Sequence, residues 1–206
     1  SYTTIQSAVD AASPGDVIIV HPGTYMETVD VTKSNITIGS LLGNPSDVIV
    51  DAGGADDHVF NITNQAGVTL TGFTIRNARS VTKDVSGLYV YGSTDCRISN
   101  NVITNMWSTD LRGVYGIRLD KSSRCNISNN VVTNIVSPRG WAEGASLVGV
   151  GNKFFNMRIS NIEANISADG IFMGGSNNTF SDTHISGINA NDAYGIHVSG
   201  YYDIVG

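Results

Sequence analysis

The chain has 206 residues and a formal net charge of −6, with 12 Lys and Arg against 18 Asp and Glu. Apolar residues make up 41% and charged residues 15%, which is typical of a folded protein and excludes an intrinsically disordered one. The negative charge argues against a nucleic-acid partner, which requires a basic surface, and no apolar run is long enough to span a membrane.

The N-terminal stretch "TTIQSAVDAASPGD" predicts a capping α-helix over residues 3–13. Thr3 or Thr4 can act as the N-cap, and Pro14 with the glycine after it should stop the helix. Four apolar residues fall on one helical face, Ile5, Ala8, Val9 and Ala12. We expect this face to cover the open end of whatever follows.

Two short strands should come next, "VIIV" at 17–20 and "TVDV" at 28–31, with "HPGTY" turning between them. Both strands alternate or cluster β-branched residues, and the segment between them contains Pro and Gly, which favour turns.

From there the chain repeats itself. "GLYVYGSTDCRISNNVITNM" at 87–106 returns 29 residues later as "GIRLDKSSRCNISNNVVTNI" at 116–135. The reference apolar column has steps of 28, 29, 27, 26 and 24 residues and comprises Leu70, Ile98, Ile127, Phe154, Phe180 and Ile204. A second column holds Ile75, Ile103, Val132, Ile159 and Ile185. Two further apolar columns follow the repeated glycines. The first comprises Leu88, Ile117, Ala145, Ile171 and Ile196. The second comprises Val90, Leu119, Leu147, Met173 and Val198.

Alternation with period 2 inside a period near 27 predicts short strands in stacked coils. Helical repeats, propeller blades and leucine-rich repeats have other spacings. The sequence therefore predicts an all-β fold, a single-stranded right-handed parallel β-helix with an N-terminal capping helix. We expect one domain over residues 1–206, with about seven coils in 17–206 and with further coils and a C-terminal cap missing.

Asparagines recur at the ends of strands, where the backbone needs left-handed conformations that Asn tolerates. One such column is Asn77, Asn105, Asn134 and Asn161, closed by Gly187. Asn101 and Asn130 are also interpreted as turn residues, with a possible hydrogen-bonded ladder between stacked side chains. Cys96 and Cys125 should stack on adjacent coils as two free, buried thiols.

Two sets of motifs carry a resemblance to known families. The opening, at residues 4–12, 14–16 and 22–31, resembles the start of pectin-lyase-like β-helix proteins. The later "GI…NxIxxN" coils resemble PbH1 repeats of periplasmic nitrous-oxide accessory proteins and of carbohydrate-binding and sugar-hydrolase β-helix domains. They are also similar to surface proteins of methanogenic archaea such as disaggregatase, which acts on an extracellular polysaccharide. The resemblance implies the fold and a secreted or cell-surface location.

Catalytic motifs of these families are absent. The chain lacks the Gln-Ala-Val-Ala and Asp-Phe-Ile-Phe-Gly motifs of pectin methylesterases and the Tyr-Asp-Pro-His signature of mannuronan epimerases. Of the polygalacturonase elements, only Asp169-Gly170 is present. No catalytic residue is therefore carried over from any of them.

The coils are interrupted at one recurring place, in residues 79–86, 107–115 and 136–143. Each segment contains an Arg and an acid, and two contain a Trp, so one edge of the solenoid should gather aromatic, basic and acidic groups. Such groups stack on sugar rings and fix hydroxyls or uronates. The predicted substrate-binding residues are Trp107, Arg112, Tyr89, Arg139, Trp141 and His197.

Three functions remain open on this evidence. The first is an extracellular enzyme that binds and cleaves an acidic polysaccharide, either a glycoside hydrolase with two carboxylates or a lyase. Its catalytic candidates are Asp110, Asp120, Glu143 and Arg118. The second is a non-catalytic cell-surface module that binds glycans or builds the envelope. The third, a metal-handling accessory protein, fits least well, because few His and Met residues are in register.

No metal site is predicted, and no cofactor other than Ca²⁺ is considered. The expected partner is a polysaccharide, and the chain is expected to be part of a larger multidomain protein.

Overall fold

The computed structural model describes the backbone of residues 1–201 and 204–205 and the side chains of residues 1–199. The predicted coils also included residues 202, 203 and 206, which lie outside the described residues. No helix in the described part of the chain has both the length and the apolar character needed to cross a membrane.

The capping helix α1 is shorter than predicted and spans Ile5–Ala11. Thr4 is its N-cap, and the Thr4 hydroxyl accepts a hydrogen bond from the backbone N–H of Ser7. The helix ends at Ala11 because Ala12 is already extended, with φ −70° and ψ 149°. The carboxylate of Glu27 accepts hydrogen bonds from the N–H of Ile5 and Gln6, at 2.8 and 3.0 Å. This contact ties the cap to the first coil.

Short strands make up almost all the remaining regular structure. In the first half they are β1 (Val17–Val20), β2 (Gly23–Met26), β3 (Val29–Val31), β4 (Thr37–Ser40), β5 (Val48–Asp51), β6 (Phe60–Thr63), β7 (Thr69–Thr71), β8 (Thr74–Arg76), β9 (Arg79–Ser80) and β10 (Val85–Tyr91). In the second half they are β11 (Arg97–Ser99), β12 (Val102–Ser108), β13 (Val114–Ser123), β14 (Asn126–Ser128), β15 (Val131–Ser137), β16 (Trp141–Val150), β17 (Lys153–Phe155), β18 (Arg158–Ala164), β19 (Ser167–Ser176), β20 (Thr179–Ser181), β21 (His184–Asn189), β22 (Asp192–Tyr201) and β23 (Ile204–Val205).

The strands form three parallel sheets that run the length of the solenoid. The first sheet has the order β1-β4-β7-β11-β14-β17-β20-β23, and the second has β2-β5-β8-β12-β15-β18-β21. The third is β3-β6-β10-β13-β16-β19-β22, and β9 pairs with β12. Each coil thus contributes one strand to every sheet. The architecture is an all-β parallel solenoid of about seven turns, as predicted.

The stacking predicted from the repeat is confirmed in detail. In the first sheet Ile98 pairs with Leu70 on one side and with Ile127 on the other, and Ile127 pairs with Phe154. All four side chains are fully or almost fully buried. In the third sheet Leu88, Ile117, Ala145, Ile171 and Ile196 pair in sequence. Successive coils therefore cover each other's apolar residues.

Two details of the predicted strands are wrong. "HPGTY" is not only a turn, because Gly23–Met26 forms β2 and pairs with Val48–Asp51 through backbone hydrogen bonds. The end of the reference column is also displaced by one residue, since Thr179 pairs with Ile204 and Phe180 with Val205. The last step of the column is therefore one residue longer than the sequence interval suggested.

Asn101 and Asn130 lie in the turns between β11 and β12 and between β14 and β15, as predicted, and their buried side chains form the predicted hydrogen-bonded ladder. The left-handed positions belong to their neighbours Asn100 and Asn129, both with φ 56°. The Asn130 side-chain oxygen accepts hydrogen bonds from the N–H and Nδ2 of Asn101, at 2.9 and 3.1 Å. Asn130 Nδ2 donates to the carbonyl of Ile98 at 3.0 Å. These buried amides satisfy backbone groups that the strand ladders leave unpaired at this corner.

The other asparagine column has the predicted left-handed backbone, but Asn105, Asn134 and Asn161 lie inside β12, β15 and β18 rather than at the strand ends. Its members have φ between 55° and 65°, as does Gly187 at 63°, and they are Asn77, Asn105, Asn134 and Asn161. The two cysteines are also as predicted, since Cys96 and Cys125 are buried free thiols on adjacent coils.

The buried asparagine ladder can be tested by replacing Asn130 with Ala. The change leaves the backbone N–H of Asn101 and the carbonyl of Ile98 without these partners, which should lower the free energy of unfolding by at least about 2 kcal/mol. Asn189→Ala in exposed β21 is the control and should change it by less than about 0.5 kcal/mol. Urea denaturation of both variants gives the comparison, and equal effects would show that the ladder does not stabilise the coil.

Candidate functional site

The interrupted segments meet at the corner between the second and third sheets. Trp107 pairs with Arg79 on one neighbouring coil and with Val136 on the other. The Ser137 hydroxyl donates a hydrogen bond to the carbonyl of Arg112 at 3.3 Å. The structure therefore brings together the three segments that the sequence analysis placed on one edge.

Both tryptophans of this corner are outside the core. Trp107 is 41% exposed and Trp141 is 45% exposed. The guanidinium of Arg79 lies over the Trp107 ring, 4.6 Å from its centroid, in a cation–π contact. Arg112 and Arg139 are exposed and make no ion pair with any residue in the described part of the chain. These four predicted binding residues are all accessible from solvent.

A column of glycines bends the strands of the third sheet beside this corner. A Cβ atom on Gly116 would collide with the side chain of Val132 and the carbonyl of Gly144. Gly116 and Ile117 both face inward, so the outward residues on either side, Tyr115 and Arg118, are three positions apart instead of the usual two. Their side chains are in contact, with the Arg118 guanidinium 4.5 Å from the centroid of the Tyr115 ring. We call this outer face, at Tyr115, Arg118, Glu143, Asp169 and His197, the bend surface.

Arg118 is held in place by acidic and aromatic neighbours. Its Nη1 lies 3.1 Å from Asp84 Oδ2, and its Nη2 lies 3.9 Å from Asp120 Oδ2. Tyr89 is also beneath it, with 5.6 Å between the guanidinium carbon and the ring centroid. The candidates Arg118 and Asp120 are thus partners in one network, and Arg118 is already occupied.

Glu143 and Asp169 are neighbouring acids whose pKa values are both raised. They pair in register on β16 and β19, so their Cα atoms are one strand spacing apart, about 4.8 Å. Removal from water, with a further contribution from the charge of Asp169, raises the pKa of Glu143 to about 7. Burial also raises the pKa of Asp169. One oxygen of each carboxyl, Glu143 Oε2 and Asp169 Oδ1, is buried without a hydrogen-bond partner.

His197 lies at one end of this pair. Its Nδ1 is 3.4 Å from Asp169 Oδ2, and its ring contacts those of Phe172 and Tyr194 at centroid distances of 5.1 and 5.0 Å. The predicted binding residue His197 therefore belongs to the bend surface. In the described residues no three or more His, Cys, Asp and Glu side chains are grouped as metal ligands. The predicted possibility of Ca²⁺ remains untested.

Tyr89, the remaining predicted binding residue, is partly covered. The His58 ring stacks on it at 4.4 Å, and His58 Nδ1 accepts a hydrogen bond from the N–H of Ser86 at 3.0 Å. Burial lowers the pKa of His58 to about 4, so this histidine is neutral at physiological pH.

The carboxylates named from sequence do not form a pair with one another. Asp110 is in an exposed loop, where its Oδ1 accepts a hydrogen bond from the N–H of Leu111. Asp120 lies five residues along β13 from Tyr115, the residue that pairs with Glu143. At a rise of roughly 3.3 Å per residue, the Cα atom of Asp120 is about 16 Å along the strand from the level of Glu143, which is longer than the span of a glycosidase acid pair.

Asp169 is the residue that sequence reasoning missed as a site candidate. Its position in the sequence could have identified it, because Glu143 and Asp169 each directly precede a glycine of the repeated column. The residue before that glycine points outward on every coil from Tyr115 to Tyr194. Two successive acids at that position should have predicted a stacked carboxyl pair.

The raised pKa of Glu143 predicts a pH-dependent stability. Because the folded state binds the proton more tightly than the unfolded state, the free energy of unfolding should fall as pH rises from about 4.5 to about 7, by up to about 3 kcal/mol. Glu143→Gln should remove this loss. His58 has a lowered pKa, so it makes the free energy of unfolding rise with pH below about 6.5. This contribution is the same in wild type and variant, so it cancels when the two are compared at each pH by urea denaturation. Parallel profiles for the two proteins would contradict the assignment.

Comparison with known proteins agrees with this architecture. Residues 58–200 match the family model described as a right-handed β-helix region. A cell surface glycoprotein of Methanothermus fervidus is 33% identical over 107 residues, which cover 51% of this chain and 16% of that protein's length. A solved rhamnogalacturonan lyase superposes with a TM-score of 0.52 and 18% identity, over 98% of this chain and 64% of the lyase. The latter similarity shows a shared fold. The chain belongs to the right-handed β-helix family.

Proposed function

We propose that this chain is a carbohydrate-active domain of a secreted or cell-surface protein and that a glycan binds across the corner and the bend surface. One observation carries the proposal. Trp141 and Glu143 point outward from β16 two residues apart, and Glu143 is paired with Asp169 on the next coil. An exposed aromatic ring thus stands about 7 Å along the strand from a buried acid pair.

The chemistry of these groups suits a sugar. The exposed ring of Trp141 offers an apolar face on which a pyranose can stack. Arg112 and Arg139, on the adjoining loops, have free guanidinium groups that can donate hydrogen bonds to hydroxyls or carboxylates. A bound glycan would then run from the loops toward Glu143.

The acid pair supports hydrolysis as the reaction. With a pKa of about 7, Glu143 can carry a proton at neutral pH and donate it to a glycosidic oxygen. Asp169 would supply the second carboxylate on the same face. The Cα atoms of the pair are one strand spacing apart, about 4.8 Å, so both carboxyl groups could act on one glycosidic bond.

A second candidate function is a non-catalytic surface module that binds glycans. It is favoured by the similarity to a protein named as a cell surface glycoprotein. The matched region is 16% of that relative's length, which supports the proposal that the present chain works as part of a larger multidomain protein. In this case the corner would bind the glycan, and Glu143 would not catalyse its cleavage.

The two functions are separated by measuring binding and cleavage with one panel of neutral and acidic polysaccharides. Reducing ends report hydrolysis and unsaturated uronate absorbance reports lyase activity. If the domain hydrolyses a glycan, Glu143→Gln should lower kcat by about 10²- to 10⁴-fold while binding persists. Trp141→Ala should instead weaken binding, by about tenfold.

The matched control is Asp182→Asn, which makes the corresponding acid-to-amide change at an exposed residue between β20 and β21, away from the corner and the bend surface, and should leave both readouts unaltered. Binding without cleavage of any glycan would assign the surface module. If no glycan binds, or if Trp141→Ala binds as well as wild type, the proposed site is wrong.

A further inference from the structure

We propose that a second binding site, for the acidic groups of a glycan, lies on the corner between the third and first sheets. It is a surface cavity of about 350 Å³, bordered by Arg97, Arg124 and Lys153. We call these three residues the basic corner. The inference rests on the proposed function only for the class of ligand, because the basic corner is built from different strands and does not involve Glu143.

The repeat places these cations in fixed positions. Arg97 on β11 pairs with Asn126 on β14, which pairs with Lys153 on β17, and all three side chains point away from the core. Arg97 and Lys153 are therefore two coils apart, about 9.6 Å between Cα atoms. Their charges lie in a row parallel to the solenoid axis, as an extended polyanion would require.

Arg124 is positioned by the turn that precedes this row. Asp95 and Arg124 occupy equivalent positions in the turns of adjacent coils, and both have a left-handed backbone, with φ 57° and 55°. Gly151 occupies this position in the next coil. Left-handed backbone is unfavourable for Arg. The Arg124 side chain is fixed by two hydrogen bonds to the Asp95 carboxylate, at 2.9 and 2.8 Å. Both Nη2 and Nε are thereby engaged, and the guanidinium is held at the rim of the cavity.

The charge balance favours an anion at this corner. Asp95 is the one carboxylate among the residues that line the cavity, and Arg124 binds it. Arg97 and Lys153 make no ion pair with any residue of the described chain. These two cations stand on a protein whose net charge is −6. A planar guanidinium can bind a carboxylate or sulfate through two hydrogen bonds, and Lys adds a point charge.

The bend surface offers the opposite environment. There Arg118 interacts electrostatically with Asp84, Asp120 and Glu143, and it already forms ion pairs with the first two. Acidic sugar groups would be repelled from those carboxylates at neutral pH. Carboxylate or sulfate groups of a long glycan are better accommodated at the basic corner, while uncharged sugar rings suit the bend surface.

Isothermal titration with three tetrasaccharides tests this assignment. Tetragalacturonate carries carboxylates, a chondroitin sulfate fragment carries both carboxylates and sulfates, and maltotetraose is neutral. The double variant Arg97→Ala/Lys153→Ala should weaken binding of at least one acidic probe by about tenfold or more. The wild-type affinity for that probe should fall as salt is raised above about 0.15 M. Comparing the first two probes shows whether carboxylate or sulfate is preferred.

Arg158→Ala is the matched control, because it removes an exposed arginine from β18 in the second sheet. It should leave all affinities within about twofold of wild type. Lys153→Arg, which keeps the charge, should retain binding. The inference is overturned if the double variant binds acidic probes like wild type, if Arg158→Ala weakens them equally, or if duplex DNA competes as well as the glycans.

The outcome also separates this inference from the proposed function. If Trp141→Ala changes nothing while the double variant loses acidic probes, the basic corner stands and the site at the bend fails. If neutral sugars bind and depend on Trp141 but acidic probes do not depend on Arg97 and Lys153, the reverse holds.

Discussion

The in-register pairing of each coil with the next is the constraint on which every other feature depends. Parallel strands place a residue directly over its counterpart, so the side chains of one column share one direction, inward or outward. A slip of one residue would expose Ile117 and bury Arg118, and the cost of that exchange fixes the register. Because the inner columns cannot slip, the outer columns that contain Glu143 and Asp169 are fixed as well.

Polar groups inside the solenoid reinforce the same register. The amide of Asn130 reaches up to Asn101 and across to the carbonyl of Ile98, and a similar chain links Asn152 to Asn178. Each amide bonds to the coil beside it, so these contacts exist only when coils are aligned. Buried hydrogen bonds of this kind are costly to leave unmade, and they add specificity to the less directional apolar stacking.

The same alignment that stabilises the fold creates its unusual electrostatics. Burial raises the pKa of Glu143 to about 7, and the charge of Asp169, stacked one strand spacing away, adds to that shift. Arg118 offsets the raised pKa of Glu143 only in part, because its ion pairs are with Asp84 and Asp120. Beyond the other end of the third sheet's strands, on β11 and β17 of the first sheet, Arg97 and Lys153 make no ion pair with any residue of the described chain.

The sequence alone was sufficient to predict the solenoid, its capping helix and the inner columns, because each coil carries the full local pattern of strand, turn and glycine. It could also place the two tryptophans on one corner. Single-residue details at the turns were harder, and the assignments of Ile204 and "HPGTY" needed correction, because the pairing of a turn's residues depends on the coil beside it.

Only the tertiary structure decided which charged residues belong together. Asp84, which forms an ion pair with Arg118, is 34 residues away in the chain. It lies in a loop whose conformation the repeat does not predict. The pairing of Glu143 with Asp169, and the burial that raises their pKa values, arise between coils rather than within one. Periodicity is a property of the chain and can be read along it. Ionisation depends on solvent exclusion and on neighbours brought close in space, and those exist only once the coils have stacked.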